Sequence, residues 1–328
     1  MNRNHVIQAW RRILAGHKPL LSLEITRECP LRCPGCYAYE DEHLGSGVNL
    51  RSLADYKGDQ LVERVLRLVD QLRPMHLSIV GGDPMVRYRE LQQLLPKLFD
   101  RGIYVQLVTS AFRVLPPEWA EMPNLEIVVS IDGLQPEHDV RRKPATYDRI
   151  LKNIAGQHIT VHCTVTAQML VRENAIESFL KFWDAVPDAK RVWFSLFTPQ
   201  RGAIAPEILS PQQRRDVVGE LVRLRPLFPK LDMKEETIWE YLAPPSSPSE
   251  CIFAQSTCTI SADLKTRITP CQFGGNPDCS QCGCIASMAL AGVGHKKFVN
   301  LELGSIMKAS NAVGRVVETL RASASAGD

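Results

Sequence analysis

The chain has 328 residues, of which 45% are hydrophobic and 23% charged, with a formal net charge of +3. This is the balance of a folded globular protein with a substantial core, and so small a charge, without any dense Lys/Arg tract, argues against a nucleic-acid partner. No apolar run reaches the roughly eighteen residues a membrane-spanning helix needs. No apolar segment followed by a small-residue cleavage site opens the sequence, so the ten cysteines are expected in a reducing, cytoplasmic setting, where clustered thiols bind metal or do redox work.

Residues 4–18 place Val6, Ile7, Trp10, Ile13 and Leu14 at helical spacing, with Arg11, Arg12 and Lys18 elsewhere on the wheel. Residues 1–18 are therefore expected to form an amphipathic helix that caps the main domain. A Trp-bearing basic helix also suits peripheral contact with a membrane surface.

From 20 to 197, strand-like apolar runs recur at 20–25, 75–80, 104–109, 125–130, 159–166 and 191–197. Helical patterns lie between them, clearest at 51–73 and 172–186. Leu53, Leu61, Val65, Leu68 and Leu72 form the apolar stripe of the first, and Pro74 and Gly102 punctuate the joins. Near-continuous apolar strands separated by helices predict a parallel α/β sheet. Composition alone permits an open doubly wound sheet as well as a barrel.

In either architecture ligands sit beyond the carboxyl ends of the strands, and the unusual residues fall there. Cys29, Cys33 and Cys36 follow the first strand, and Gly81-Gly82-Asp83 follow the second. Thr109-Ser110 end the third, Ser130-Ile131-Asp132-Gly133 end the fourth, and Cys163, Thr164 and Thr166 lie on the fifth. Cys163, in a strand pattern, reads as a small buried hydrophobe. Three thiols in the C-x3-C-x2-C spacing can converge on one inorganic centre, and thiolate is the soft ligand that iron–sulfur clusters and zinc select. A closed zinc site needs a fourth protein ligand; the nearest candidate is His43, and the next cysteine is Cys163. Three ligands on a four-iron cluster would leave one iron open.

The cysteine spacing after a first strand and the glycine pair after a second resemble the radical S-adenosylmethionine (radical SAM) superfamily. The resemblance implies a partial (β/α)6 TIM-type barrel over residues 19–242. It implies that Cys29, Cys33 and Cys36 hold a [4Fe-4S] cluster, whose fourth iron binds the amino and carboxylate groups of S-adenosylmethionine, and that one electron cleaves this to a 5′-deoxyadenosyl radical. It implies that Gly81, Gly82 and Asp83 approach the methionine amino group, with Asp83 in place of the usual glutamate. Ser130 and Asp132 would contact the ribose and carboxylate. His138-Asp139 follow, and Arg142 would pair with the carboxylate, whose geometry a guanidinium fork matches. The residue before the third cysteine, often an aromatic on the adenine, is Gly35 here; Tyr37 or Tyr39 fills that role. A reductant such as flavodoxin or ferredoxin is also implied. Glu24, His76, Gln106, His162 and Trp193 are candidate pocket residues on inward strand positions, with a barrel-rim salt bridge the equal alternative for Glu24.

Residues 243–249 form a Pro/Ser linker. Beyond it, in 250–328, stand Cys251, Cys258, Cys271, Cys279, Cys282 and Cys284. The turn-rich stretch 270–284 lacks the apolar residues for its own core, so a metal centre is its expected staple. Cys251, Cys258 and Cys271 resemble the start of a SPASM or twitch extension, although Thr266 stands near the usual hairpin glycine. This implies an auxiliary [4Fe-4S] cluster with a fourth ligand among Cys279, Cys282 and Cys284. Two clusters, a cluster plus a zinc, or a zinc ribbon are the alternatives. The tail is predicted helical, with Ile306, Met307, Val313, Val316, Val317 and Leu320 packing back on the barrel and 322–328 frayed.

The expected function is a radical SAM enzyme acting on a small-molecule or lipid substrate, since the layout also resembles adenosylhopane-synthase-type proteins and no peptide-gripping domain is evident. The alternatives are a SPASM/twitch-type maturase of a ribosomally made peptide and a non-catalytic zinc-stapled interaction module.

Overall fold

The computed structural model describes residues 3–45, 48–298 and 301–325. Seven parallel strands form one sheet: β1 (Leu20–Glu24), β2 (His76–Val80), β3 (Tyr104–Thr109), β4 (Leu125–Ile131), β5 (Ile159–Val165), β6 (Ala189–Leu196) and β7 (Thr257–Ile260). Their order is β6-β5-β4-β3-β2-β1-β7, an open α/β sheet of the partial TIM-barrel kind. The helices are α1 (Arg3–Leu14), α2 (Gly58–Leu72), α3 (Tyr88–Phe99), α4 (Glu137–Arg141), α5 (Tyr147–Asn153), α6 (Ala175–Asp184), α7 (Pro211–Leu224), α8 (Glu235–Trp239), α9 (Ile252–Ser256), α10 (Ile285–Gly294) and α11 (Leu303–Ser325).

Strand register sorts the side chains into two faces. Leu21, Leu77, Val105, Ile127, Val161 and Val192 share the outward face with their neighbours two residues on. All are nearly or fully buried in one core with the apolar stripes of α2, α3, α6 and α7; each such side chain contributes roughly 1.5–3 kcal/mol by leaving water. The inward face is largely polar and carries Ser22, Ser78, Gln106, Ser130, His162, Thr164 and Ser195, so the site is built on the side the core does not use.

Three local departures from the sequence expectation have physical causes. α2 begins at Gly58 (φ +58°) rather than at 51, after a 3-10 turn at Leu50–Ser52. α6 begins at Ala175, because Asn174 enters in the left-handed region. Between β3 and β4 there is a 3-10 turn, Pro117–Glu121, in place of an α-helix, since Pro123 keeps Met122 extended and leaves room for little more than one turn after Pro117.

The seventh strand lies beyond the 243–249 segment, so the cysteine-rich region contributes directly to the sheet by pairing β7 with β1. α1 ends at Leu14 and packs along α11, with Trp10 Nε1 donating to Ser310 Oγ at 2.6 Å. On α11, Ile306, Met307 and Val317 are half-buried, whereas Val313, Val316 and Leu320 are exposed, contrary to the expectation that all six pack inward. No described helix is long and apolar enough to cross a membrane. The helix runs to Ser325, and residues 326–328 lie outside the described residues.

Candidate active site and cysteine groups

Cys29, Cys33 and Cys36 sit on the loop after β1 and face a cavity of about 1070 Å3 at the carboxyl ends of the strands. The loop is braced from below. Buried Arg87 reaches Asp55 at 2.5 Å and Glu28 at 3.0 Å. Arg27 donates to the carbonyls of Arg51 and Leu53, both at 2.7 Å. Hydrogen bonds from Arg87 and then Lys57 hold the Glu28 carboxyl at about 2. All three thiols are free, and burial pushes Cys29 up to about 12; thiolates here need a positive centre to hold them.

The glycine pair lines the cavity and also lets the β2 turn lie against this loop. Gly81 (φ +84°) and Gly82 (φ +51°) occupy the left-handed region, and a Cβ would overlap Glu24 at the first and the Glu28 carbonyl at the second. The bare backbone lets the β2 turn lie against the cysteine loop, where Asp83 N donates to Glu28 O at 2.9 Å. The Asp83 carboxylate is already committed. It accepts from Met85 N (3.0 Å), Thr109 Oγ1 (2.7 Å), Ser110 N (2.8 Å) and Ser110 Oγ (2.5 Å), so it ties β2 to the end of β3.

Asp132, by contrast, belongs to a charged network beside the thiols. Its Oδ2 accepts from Arg141 Nε at 2.9 Å and Arg142 Nε at 2.8 Å. Burial opposes its charge, but the two guanidiniums outweigh burial and hold the carboxyl at about 2. Arg141, which the sequence reading passed over in favour of Arg142, also reaches Glu207 Oε1 at 3.0 Å and the Pro34 carbonyl at 2.7 Å. It thereby clamps the cysteine loop. His138 and Asp139 are structural: His138 Nδ1 accepts from Asp132 N, its Nε2 faces the Ala145 carbonyl, and Asp139 accepts from Tyr147 N. Ser130 lines the cavity.

Of the two tyrosines, Tyr37 lines the cavity, edge-on to Phe273 with ring centroids 5.3 Å apart. Tyr39 turns away, donating to Arg27 O at 2.9 Å under the Arg51 guanidinium. The Glu24 alternatives resolve to the rim ion pair. Glu24 Oε1 meets His43 Nε2 at 2.8 Å and Oε2 accepts from Ser261 Oγ at 2.5 Å. His43 Nδ1 faces the Phe273 carbonyl at 2.9 Å. Burial opposes a charge on His43, but the Glu24 carboxylate at Nε2 and the Phe273 carbonyl at Nδ1 both favour the imidazolium and raise its pKa. His43 was considered above as a metal ligand, and here it joins the cysteine loop to the C-terminal region.

His76, Gln106, His162 and Trp193 line the cavity as expected. His162 lies 2.8 Å from Ser195 Oγ and burial lowers it to about 4, so it is neutral. Opposite these strands, Ile285, Ala286, Ala289, Leu290 and Val293 of α10 give the cavity an apolar wall.

Cys251, Cys271, Cys279, Cys282 and Cys284 surround a second, small cavity of about 30 Å3, and Cys284 also borders the large one. Arg214 of α7 holds their loop by donating to the carbonyls of Tyr241, Gln281 and Cys282. Gly283 N donates to Thr198 Oγ1, and a Cβ there would overlap the Leu196 carbonyl; glycine lets the loop dock on the β6 edge. Cys258 is not in this group. It pairs with Leu21 across β7 and β1, faces outward, and its charged neighbours are Arg267, Lys18 and Glu318. Cys163 is buried on the same outward face, with its thiol 3.8 Å from Met169 Sδ.

The donor sets fit iron–sulfur clusters. Among the described residues no three His, Cys, Asp or Glu side chains stand close enough to grip one ion, whereas three and five thiols gather around cavities, and soft thiolates are what a cluster requires.

An open parallel barrel whose first loop presents three thiols to a cavity is an α/β barrel with a candidate cluster site. Residues 23–180 match the model of the radical SAM superfamily, and this part of the chain is a radical SAM domain. The chain is 28% identical over 120 residues to PqqA peptide cyclase of Bradyrhizobium diazoefficiens, a match covering 34% of this chain and 28% of that protein. It superposes on Streptococcus suis SuiB with a TM-score of 0.54 at 17% identity, covering 79% of this chain and 62% of SuiB. On anSMEcpe with bound AdoMet the TM-score is 0.55 at 16% identity, covering 89% and 84%. These likenesses establish the fold; the chain spans less than two thirds of PqqA peptide cyclase and of SuiB.

Proposed function

We infer that the protein is a radical SAM enzyme that uses Cys29, Cys33 and Cys36 to hold a [4Fe-4S] cluster and modifies a substrate in the 1070 Å3 cavity. The observation that carries this is the convergence of three free thiols on that cavity beside the Asp132–Arg142 pair. When bound, the cluster supplies the electron that cleaves S-adenosylmethionine to methionine and a 5′-deoxyadenosyl radical, drawn from a reductant such as flavodoxin or ferredoxin.

The chain's own residues then bind, orient and exclude water. Arg142 lines the cavity and spends Nε and Nη2 on Asp132, which leaves Nη1 for a ligand carboxylate. Ser130 offers a hydroxyl at the same strand end, and Tyr37 a ring face. Neutral His162 and Ser195 supply the polar floor, and α10 closes the cavity with aliphatic groups that cannot compete with the substrate for hydrogen bonds. Four of Cys251, Cys271, Cys279, Cys282 and Cys284 would hold one auxiliary [4Fe-4S] cluster.

The aliphatic wall supports a small-molecule or lipid substrate with an apolar portion. A second reading, modification of a ribosomally made peptide, is supported by the similarity to PqqA peptide cyclase and to SuiB bound to precursor peptide SuiA, with a TM-score of 0.55.

Anaerobically purified protein should be brown, carry about four irons per cluster with matching sulfide, and release 5′-deoxyadenosine after reduction. Colourless protein holding only zinc would instead establish the interaction module. Turnover of isoprenoid or fatty alcohols against turnover of precursor peptides separates the two substrate readings.

A further inference from the structure

The inner face of the sheet continues well below the thiols. Leu20, the first residue of β1, is in register with His76 of β2 on one side and Thr257 of β7 on the other. Side chains alternate along a strand, so Ser22 shares this inward face one position nearer the carboxyl end. All four residues line the 1070 Å3 cavity. The rung lies four residues before Glu24 and Val80, roughly 13 Å from the strand ends where the cysteine loop and the glycine turn begin. α10 follows the same descent. It starts beside β6, with Ile285 N donating to Ser195 Oγ at 3.3 Å, and ends at Gly294 against Ile252 of α9, just ahead of β7. The cavity is therefore long, with Ala289, Leu290 and Val293 along one side.

Three polar groups toward its lower end have no partner. Ser22 is 2% and Thr257 7% exposed, and both hydroxyl oxygens lack a hydrogen bond to any described residue. His76 is half-buried on the same rung, and its ring makes no hydrogen bond to a described residue. Elsewhere on this face polar side chains are paired, Ser78 with Gln106 and His162 with Ser195. A buried hydroxyl left unpaired is costly, and nearly all such groups find partners. Two exceptions on adjacent strands, both lining a cavity, mark a place where a ligand supplies the bonds.

The chemistry of the three groups selects that ligand. Burial lowers the His76 pKa, so the ring is neutral and offers one donor and one acceptor; each hydroxyl offers both. Of the cations lining the cavity, Arg141 and Arg142 are held by Asp132 beside the thiols, and Lys234 and Lys296 are exposed. A carboxylate or phosphate at Ser22 and Thr257 would be buried with no cation in register to offset its desolvation. A hydroxyl group both donates and accepts, and carries no charge.

We propose that Ser22, Thr257 and His76 form a subsite that hydrogen-bonds a neutral hydroxyl group of the substrate, with the substrate's apolar body along α10 and its reacting end near Cys29, Cys33 and Cys36. This rests on the reading of the cavity as the substrate site, and it narrows that reading to elongated alcohols.

The test is titration of anaerobically purified full-length protein with 1-octanol, and separately with octanoate at pH 8, where the acid is ionised. Binding is read by the fluorescence of Trp193, which lines the cavity, with Trp193→Phe as the baseline. Wild type should show saturable binding of 1-octanol and bind octanoate at least about tenfold more weakly. Ser22→Ala/Thr257→Val should bind 1-octanol about fivefold or more weakly. His76→Phe should lose a similar factor, and it carries the test if the double variant fails to fold by circular dichroism. Octanoate bound as tightly as 1-octanol, no saturable binding of 1-octanol by wild type, or a folded double variant that binds it like wild type would each overturn the proposal. Release of 5′-deoxyadenosine by reduced wild type is measured alongside; its absence would overturn the cluster reading, whereas the octanol titrations decide the subsite.

Discussion

Replacing His43 with alanine tests whether one buried ion pair holds the two cysteine regions in register. His43 and Glu24 are both almost fully buried and meet at 2.8 Å. Removing the imidazolium leaves the Glu24 carboxylate with Ser261 Oγ as its remaining partner and leaves the Phe273 carbonyl without a donor. Breaking a buried pair in this way costs about 3–5 kcal/mol. With a urea slope of about 3 kcal/mol/M, the midpoint should fall by roughly 1–1.7 M.

The pH dependence has a defined sign. Glu24 raises His43 above its unfolded value, so the contribution is fully present below about 6.5 and is lost as pH rises through the folded value. Urea titrations of anaerobic wild type and His43→Ala, read by tryptophan fluorescence at pH 6 and pH 9, should show the gap narrowing at the higher pH. A gap under about 1 kcal/mol at pH 6, or one that widens with pH, would refute the argument.

Gly81→Ala places a Cβ on Glu24 at φ +84°, so stability should fall by more than about 3 kcal/mol, read as lost soluble yield. Arg141→Lys keeps the charge but puts all its donors on one nitrogen, where Arg141 reaches Asp132, Glu207 and the Pro34 carbonyl from three; iron should pass to a chelator several-fold faster than in wild type. Cys258→Ser should retain the wild-type iron content, because that thiol faces Lys18 and Arg267, whereas Cys271→Ser should lose the auxiliary iron, both by iron assay and electron paramagnetic resonance.

Much of the barrel and its first loop was legible because the signals are local. Cys29, Cys33 and Cys36 span eight residues, and the first six strands each announce themselves as apolar runs. What escaped is non-local. β7 is four residues long, and whether Cys258 faces the other thiols or the outer core depends on its register with Leu21, which no spacing encodes. His43 stands 230 residues from its partner Phe273. Arg141 and Arg142 are adjacent, and only the fold shows that both converge on Asp132 while one also holds the cysteine loop. The glycine pair was read as room for a ligand and does line the cavity; that its missing side chains also make room for Glu24 and Glu28 depends on contacts no local spacing encodes. On α11 helical spacing was visible, but two apolar stripes on one helix were indistinguishable from one until its neighbours were placed.

The central claim is that the loop after β1 carries the reactive cluster. The most direct measurement is iron content and 5′-deoxyadenosine release in Cys29→Ala/Cys33→Ala/Cys36→Ala, purified anaerobically beside wild type. The account predicts a folded protein that has lost about four irons, keeps the auxiliary signal and releases no 5′-deoxyadenosine. Cleavage at the wild-type rate would contradict it.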